Sequence, residues 1–248
     1  PCAREIKASI YVRPRQPCGF MRGQGGLRIM KPADLRGLYE EIANSSSHAV
    51  GLGLALAGMP VLLVQAYSHG DQWHVISAII YGLSIISVFL SSTLYHGFQV
   101  QPIKHILRVI DHMTIYGVIA GTLTPFLLVH GRNTWGWSML VALWTVWLLG
   151  ILYKLFFFGR STLESVATYV VMSWLAAVAL IPILSEVDTG CTVLLISGLI
   201  IYTIGVYFYV KDDVQWYHTI WHGFVVGGAT CHYVAISVYV MPMGPTGL

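Results

Sequence analysis

Charged residues are scarce in this sequence: they make up 10% of its 248 residues, whereas hydrophobic residues make up 56%. A soluble domain of this length carries about a quarter charged residues. The apolar residues stand in long runs rather than in alternation with polar ones. This composition excludes an ordinary soluble domain and predicts an all-α, polytopic membrane protein that forms a single helical bundle.

Cysteine is also scarce, and no two of the four cysteines form a C-x-x-C pair. We therefore expect no disulfide framework. The first 48 residues contain no apolar stretch of the signal-peptide type, so we expect no cleavable signal peptide. Residues 1–37 are basic and rich in Gly and Pro, and we interpret them as a disordered cytoplasmic tail that precedes one membrane domain, residues 38–248.

Seven segments are long and apolar enough to cross a bilayer as helices. Short loops with turn-forming or charged residues separate them. The predicted spans are Ala49–Tyr67, Val75–Tyr95, Val109–Val129, Thr134–Tyr153, Ser165–Leu184, Cys191–Val210 and Trp216–Tyr239.

The positive charges lie almost entirely on one side of these spans. Of the fourteen Lys and Arg residues, only Arg132 falls in a loop on the opposite side. Because Lys and Arg concentrate in cytoplasmic loops, we predict that the N-terminus is cytoplasmic. With an odd number of crossings, the C-terminus is then predicted to lie outside.

Five polar side chains fall at the predicted cytoplasmic level. Ser92 and His96 end the second span, Asp111 begins the third, and His218 and His222 open the seventh. His218 and His222 are four residues apart, so both project from one side of a helix. Ionisable side chains are costly near hydrocarbon. Three neutral imidazoles at one depth would provide the ligands for a zinc ion with one open coordination position.

Each of these residues also has an ordinary structural interpretation. His96 is compatible with an interfacial position beside the aromatic Tyr95. Asp111 is compatible with a favourable charge at a helix N-terminus, or with a pair to Arg108 one turn earlier. Ser92 can hydrogen-bond to its own helix. Their joint occurrence at one depth favours a shared site over these separate roles.

Further polar residues lie near the same spans. A polar stripe precedes the first span, and we interpret it as the solvated start of a helix, with support of the histidine site as the alternative; it consists of Glu40, Glu41, Asn44 and His48. His232 lies ten residues beyond His222, about 15 Å further along a helix. We therefore predict that His232 hydrogen-bonds or packs within the bundle and does not share the ion.

Three stretches of the sequence resemble the hemolysin III proteins. They are Ser91–His96, Asp111–Tyr116 with Gly121–Phe126, and His218–His222. These proteins belong to the progestin and adipoQ receptor superfamily, which includes the adiponectin receptors. The resemblance covers about residues 38–240, nearly the whole chain apart from the tail.

The resemblance implies seven helices, a cytoplasmic N-terminus and one zinc ion near the inner leaflet. Its three ligands would be His96, His218 and His222. Asp111 would hold a water on the zinc, with Ser92 beside it. Adiponectin receptors are assigned as ceramide-cleaving hydrolases. The resemblance therefore predicts a zinc-dependent hydrolase of a lipid amide in the cell membrane, with the bilayer and a membrane lipid as partners and no nucleic acid.

Two other functions stay open at this point. One is a seven-helix receptor or signalling protein in which zinc is structural, although the short predicted outer loops disfavour a protein hormone as ligand. The other is a pore-forming, cytolytic protein, as the haemolytic phenotype behind the family name suggests. No predicted span carries a repeated polar face of the kind that lines a channel.

Overall fold

The computed structural model describes residues 32–157 and 162–242, which form seven α-helices and contain no strand. The helices are α1 Pro32–His69, α2 Gln72–Gly97, α3 Ile103–Val129, α4 Thr134–Phe157, α5 Thr162–Leu180, α6 Thr189–Val210 and α7 Tyr217–Tyr239. A short 3-10 turn, Ile181–Ile183, follows α5 and contains Pro182. The predicted all-α architecture is confirmed.

Six helices, α1 to α6, are long and apolar enough to cross a bilayer. The seventh helix has 23 residues, and at 1.5 Å per residue it is about 34 Å long. It is less apolar because it carries His218, His222 and His232. The chain is therefore a multi-pass membrane protein, while a seventh crossing and the sides on which the termini lie stay predictions.

The helices form a ring in which the order around the bundle is α1, α2, α3, α5, α6 and α7, with α7 closing against α1. The fourth helix packs on α3 from outside this ring. Because α1 lies between α2 and α7, the end of α2 and the start of α7 meet across the first half of α1. This arrangement joins residues that are far apart in sequence.

Glycines allow α6 and α7 to lie close together. A Cβ on Gly198 would stand 2.4 Å from Nε2 of His232, and one on Gly205 would stand 2.6 Å from Cβ of Phe224. A Cβ on Gly228 would stand 2.7 Å from the Tyr202 ring. Small residues let membrane helices approach closely. These contacts lie near both ends of the two helices, so α7 packs alongside α6 over most of the length of α7.

The first helix begins at Pro32, well before the predicted span starts at Ala49. Hydropathy identifies only the apolar part of a helix, whereas this helix continues through a polar stretch before it. Proline is favoured in the first turn of a helix because its missing N–H would have no partner there. Residues 32–37 are therefore helical, where we expected the disordered tail to continue. Residues 1–31 lie outside the described part of the chain, and for them disorder stays a prediction.

Candidate metal centre

Three histidines from two helices converge at one end of the ring. His96 lies in the last turn of α2, and His218 and His222 lie in the first two turns of α7. One ring nitrogen from each lies within 4.8 Å of the other two, and the ring centroids are 4.7 to 5.0 Å apart. His96 and His222 are buried and His218 is half-buried. This cluster, named the histidine triad below, could hold a metal ion.

Two members of the triad are oriented by partners on α1. Nδ1 of His96 lies 2.8 Å from a carboxylate oxygen of Glu41. Nδ1 of His222 lies 3.0 Å from the backbone carbonyl of Asn44 and 3.1 Å from the hydroxyl of Ser47. In both rings Nε2 is then the nitrogen left to accept a metal. Histidines that bind metals usually donate their other ring N–H to a carboxylate or a carbonyl in this way.

The second nitrogen of His96 carries the strongest indication of a ligand. Nε2 of His96 is buried and has no hydrogen-bond partner among the residues that the structure describes. Leaving a buried polar atom without a partner costs roughly 1–3 kcal/mol. A metal ion bound by the triad would satisfy this atom. The residues present therefore fit a metal ion, and the all-imidazole donor set suits a transition metal better than Mg²⁺ or Ca²⁺.

Ser92 and Asp111 lie beside the triad. Ser92 is buried one turn before His96 on α2, and its side chain lies near that of Asp111 on α3. Both residues line the same cavity as His218 and His222. Among the described residues, Asp111 is not part of the group whose ligand atoms converge within 4.8 Å. The structure thus brings all five predicted residues to one end of the bundle, with Asp111 next to the triad rather than in it.

Three of the four residues in the polar stripe of α1 are buried, so its interpretation as a solvated helix start was wrong. Glu40, Asn44 and His48 are each less than 8% exposed. Their spacing of four residues places them on one face of α1, and this face turns toward α2 and α7. The contacts of Glu41 with His96 and of Asn44 with His222 agree with the alternative interpretation, in which the stripe supports the triad. The regular four-residue spacing is the sequence signal that identifies such a buried face.

Two contacts of the polar stripe fix the start of α7. The side chain of Glu40 accepts a hydrogen bond from the backbone N–H of Trp216, at 3.3 Å. Trp216 precedes α7 and has a left-handed backbone with φ of 70°, which is uncommon for a residue other than glycine. The side-chain oxygen of Asn44 accepts a hydrogen bond from the Thr219 hydroxyl. Together these contacts hold the turn of α7 that carries His218.

Three further histidines, His232, His74 and His112, are not members of the triad. Nε2 of His232 is 3.2 Å from the backbone carbonyl of Leu195, and its ring contacts that of Tyr202, which confirms the predicted packing role. His74 lies at the opposite end of the bundle, where its side chain contacts Asp71 at the start of α2. His112 follows Asp111 and lines the same cavity.

An elongated cavity of about 270 Å³ lies inside the ring and reaches the triad. It is bounded mainly by α3, α5, α6 and α7, and most of the side chains that line it are apolar. Its lining on α6 runs from Thr192 to Tyr209, which corresponds to about 25 Å of helix. Ser92, Asp111 and His222 line the end of this space that lies beside the triad. Such a shape suits a molecule with a long apolar part and one polar group.

The fold and the site define a polytopic helical membrane protein with a candidate metal centre built on the second and last helices. The family described as "Haemolysin-III related" matches residues 37–233. The chain belongs to this family, within the progestin and adipoQ receptor superfamily.

Curated relatives agree with this assignment. The chain is 38% identical over 202 residues to "Hemolysin-3 homolog" of Bacillus subtilis, which covers 82% of this chain and 95% of the relative. It is 36% identical over 203 residues to "Hemolysin-3" of Bacillus cereus, which covers 82% and 93%. It is 28% identical over 211 residues to the human "Monocyte to macrophage differentiation factor", which covers 82% and 85%.

Proposed function

We propose that the histidine triad binds zinc and that the protein is a zinc-dependent hydrolase of a membrane lipid amide such as ceramide. The observation that carries this proposal is Nε2 of His96, which is buried and has no hydrogen-bond partner among the described residues. His96 converges with His218 and His222, which line an apolar cavity. Catalytic zinc sites commonly have three protein ligands and one open position, and three histidines are one such set.

Bound zinc would supply a Lewis acid and would lower the pKa of a bound water from about 15.7 toward 7. Asp111 lies beside the triad and is the group of this chain placed to orient the attacking water and accept its proton. Ser92 lies beside Asp111, and its hydroxyl would hold the Asp111 carboxylate in place for this task. The water oxygen bonds to the amide carbonyl carbon, the C–N bond breaks, and Asp111 returns the proton to the leaving nitrogen. The products are a fatty acid and a free amine.

Zinc content and turnover are measured on the same purified protein. We expect about one zinc per chain and release of free fatty acid from a labelled ceramide. Asp111→Asn should keep the zinc and lose turnover by roughly 10²–10⁴-fold, the usual size of a general-base contribution. The double variant His218→Ala/His222→Ala should lose both. Full metal occupancy in the double variant would reject the site, and turnover that survives Asp111→Asn would reject Asp111 as the base.

A structural metal is a second candidate, because the triad joins α2 to α7, two helices that are distant in sequence. In that case chelation lowers the melting temperature and no lipid is cleaved. Zinc-loaded protein that releases no fatty acid from a panel of lipid amides would favour this function over the hydrolase.

A further inference from the structure

His48 is a fourth imidazole beside the triad. It lies on α1, one turn after Asn44, and it lines the same cavity as Ser92 and Asp111. Its ring stacks on that of His222 with centroids 3.6 Å apart and planes 20° apart. The Phe89 ring packs against it in a T-shaped arrangement, with ring centroids 5.2 Å apart and planes 85° apart. The two contacts fix the plane of the His48 ring.

His48 is only 4% exposed, and neither of its ring nitrogens has a hydrogen-bond partner among the described residues. A neutral imidazole offers one donor and one acceptor. A buried polar group left without a partner costs roughly 1–3 kcal/mol, and an apolar ring of similar size would fill this space without that cost. An imidazole here therefore indicates that a molecule in the cavity supplies the missing partner.

The missing partner is not the metal of the triad. Among the described residues, the group whose nitrogens converge within 4.8 Å contains His96, His218 and His222 but not His48. His48 thus lies beside the metal centre without belonging to it, and it lines the apolar cavity.

We propose that His48 hydrogen-bonds a hydroxyl group of the lipid in the cavity, next to the amide, and so selects hydroxylated lipid amides over amides of equal length without hydroxyls. A sphingoid base carries hydroxyls in this position. The proposal rests on the proposed function for the choice of an amide lipid, but it concerns binding and does not require turnover.

Matched variants separate hydrogen bonding from packing. His48→Phe keeps a flat ring between His222 and Phe89 and removes both nitrogens. His48→Gln removes the ring but keeps a donor and an acceptor. The two probes are a fluorescent short-chain ceramide and the matched amide whose sphingoid hydroxyls are removed. Binding is measured on purified protein in detergent, with zinc bound and after chelation, and the zinc content of each variant is determined.

We expect His48→Phe to weaken ceramide binding about tenfold, the value of one hydrogen bond of ~1.4 kcal/mol. Binding of the hydroxyl-free amide and the zinc content should not change, and His48→Gln should recover part of the lost ceramide affinity. Three results would overturn the proposal: unchanged ceramide binding, equal weakening for both lipids, or loss of zinc in His48→Phe. The last two would assign His48 a packing role on His222.

The test of the His48 contact can fail or succeed independently of the test for hydrolase activity. If the native protein prefers ceramide and loses this preference in His48→Phe, yet releases no fatty acid, then the hydrolase fails and the lipid contact stands. If the native protein cleaves ceramide and His48→Phe binds both probes as before, then the hydrolase stands and the contact fails.

Discussion

The carboxylate of Glu41 lies 2.8 Å from Nδ1 of His96, so a residue on α1 orients a candidate metal ligand on α2. The other carboxylate oxygen of Glu41 lies 3.1 Å from the ammonium group of Lys104 on α3. One carboxylate thus joins three helices at the end of the bundle that holds the triad. Hydrogen bonds of this kind fix the tautomer of the histidine and raise its basicity as a ligand.

Glu41→Ala should weaken metal binding by about 10–100-fold, the usual effect of removing a partner of a metal-bound histidine. The triad itself stays intact, so metal should still bind at high concentration. Affinity is measured by competition with a chelator of known strength. Glu186→Ala is the control, because Glu186 is exposed in the loop between α5 and α6. Equal affinity of the Glu41→Ala and native proteins would contradict the orienting role.

Ser47→Ala should reduce metal affinity less than Glu41→Ala does, by under about tenfold. The carbonyl of Asn44 remains 3.0 Å from Nδ1 of His222 when the hydroxyl is removed. Ser46 is exposed on the same helix and offers the matched control Ser46→Ala. The same chelator competition measures both. A loss as large as that of Glu41→Ala would show that the hydroxyl of Ser47, and not the carbonyl, holds the His222 ring.

The apolar part of each helix and the members of the triad could be predicted from the sequence. Runs of apolar residues predict where a helix lies in hydrocarbon, and the predicted span Cys191–Val210 falls within two residues of α6. His96 and the His218/His222 pair were predicted from their common depth and four-residue spacing. The hydropathy of a segment and the spacing of its histidines are local signals, because each can be read from the sequence of a single helix.

The partners of the triad could not be predicted as readily. Glu41, Asn44 and His48 precede the apolar part of α1, where a polar stripe usually faces water. Their contacts depend on how α1 packs between α2 and α7, a property of the whole ring.

The contact between Gly198 and His232 tests the packing of α6 on α7. In Gly198→Ala the new Cβ would lie 2.4 Å from Nε2 of His232 and 3.0 Å from the backbone oxygen of Gly228. Backbone cannot move aside cheaply, so we expect a loss of about 1–3 kcal/mol, typical of overpacking. This loss of stability is measured as a decrease in the melting temperature of the purified protein in detergent.

Gly227→Ala is the matched control on the same interface, since its Cβ would make an ordinary contact of 3.6 Å with Ile201. It should leave the melting temperature unchanged or raise it, because alanine favours a helix over glycine by up to about 1 kcal/mol. A Gly198→Ala variant as stable as Gly227→Ala would mean that α6 and α7 are not in close contact there.

Asp71 and Arg132 join two loops at the end of the bundle opposite the triad. Asp71 precedes α2 and its carboxylate accepts hydrogen bonds from the backbone N–H groups of Trp73 and His74. A guanidinium nitrogen of Arg132, between α3 and α4, lies 2.6 Å from its other oxygen. Partial burial alone would raise the pKa of Asp71, but the hydrogen bonds from His74 and Trp73 and the charge of Arg132 outweigh it and lower this pKa to about 2.

A carboxyl group whose pKa is lower in the folded state than its ordinary value of 3.8 stabilises the fold above that value. Its contribution is lost as the pH falls from about 4 to about 2. Asp71→Asn keeps a side chain that can cap α2 but removes the charge. We expect this variant to melt at a lower temperature than the native protein at pH 7, and the difference between the two to shrink as the pH falls through that window.

Arg132→Gln removes the partner charge and leaves the carboxylate in place. The pKa of Asp71 should then move up toward its ordinary value, so the stability that depends on this group becomes smaller and is lost at a higher pH. Melting temperatures of the native protein and both variants, measured in detergent from pH 7 to pH 2, test the pair. A difference between native protein and Asp71→Asn that stays constant over the whole range would show that the ionised carboxylate contributes nothing, and that capping and packing alone hold these loops together.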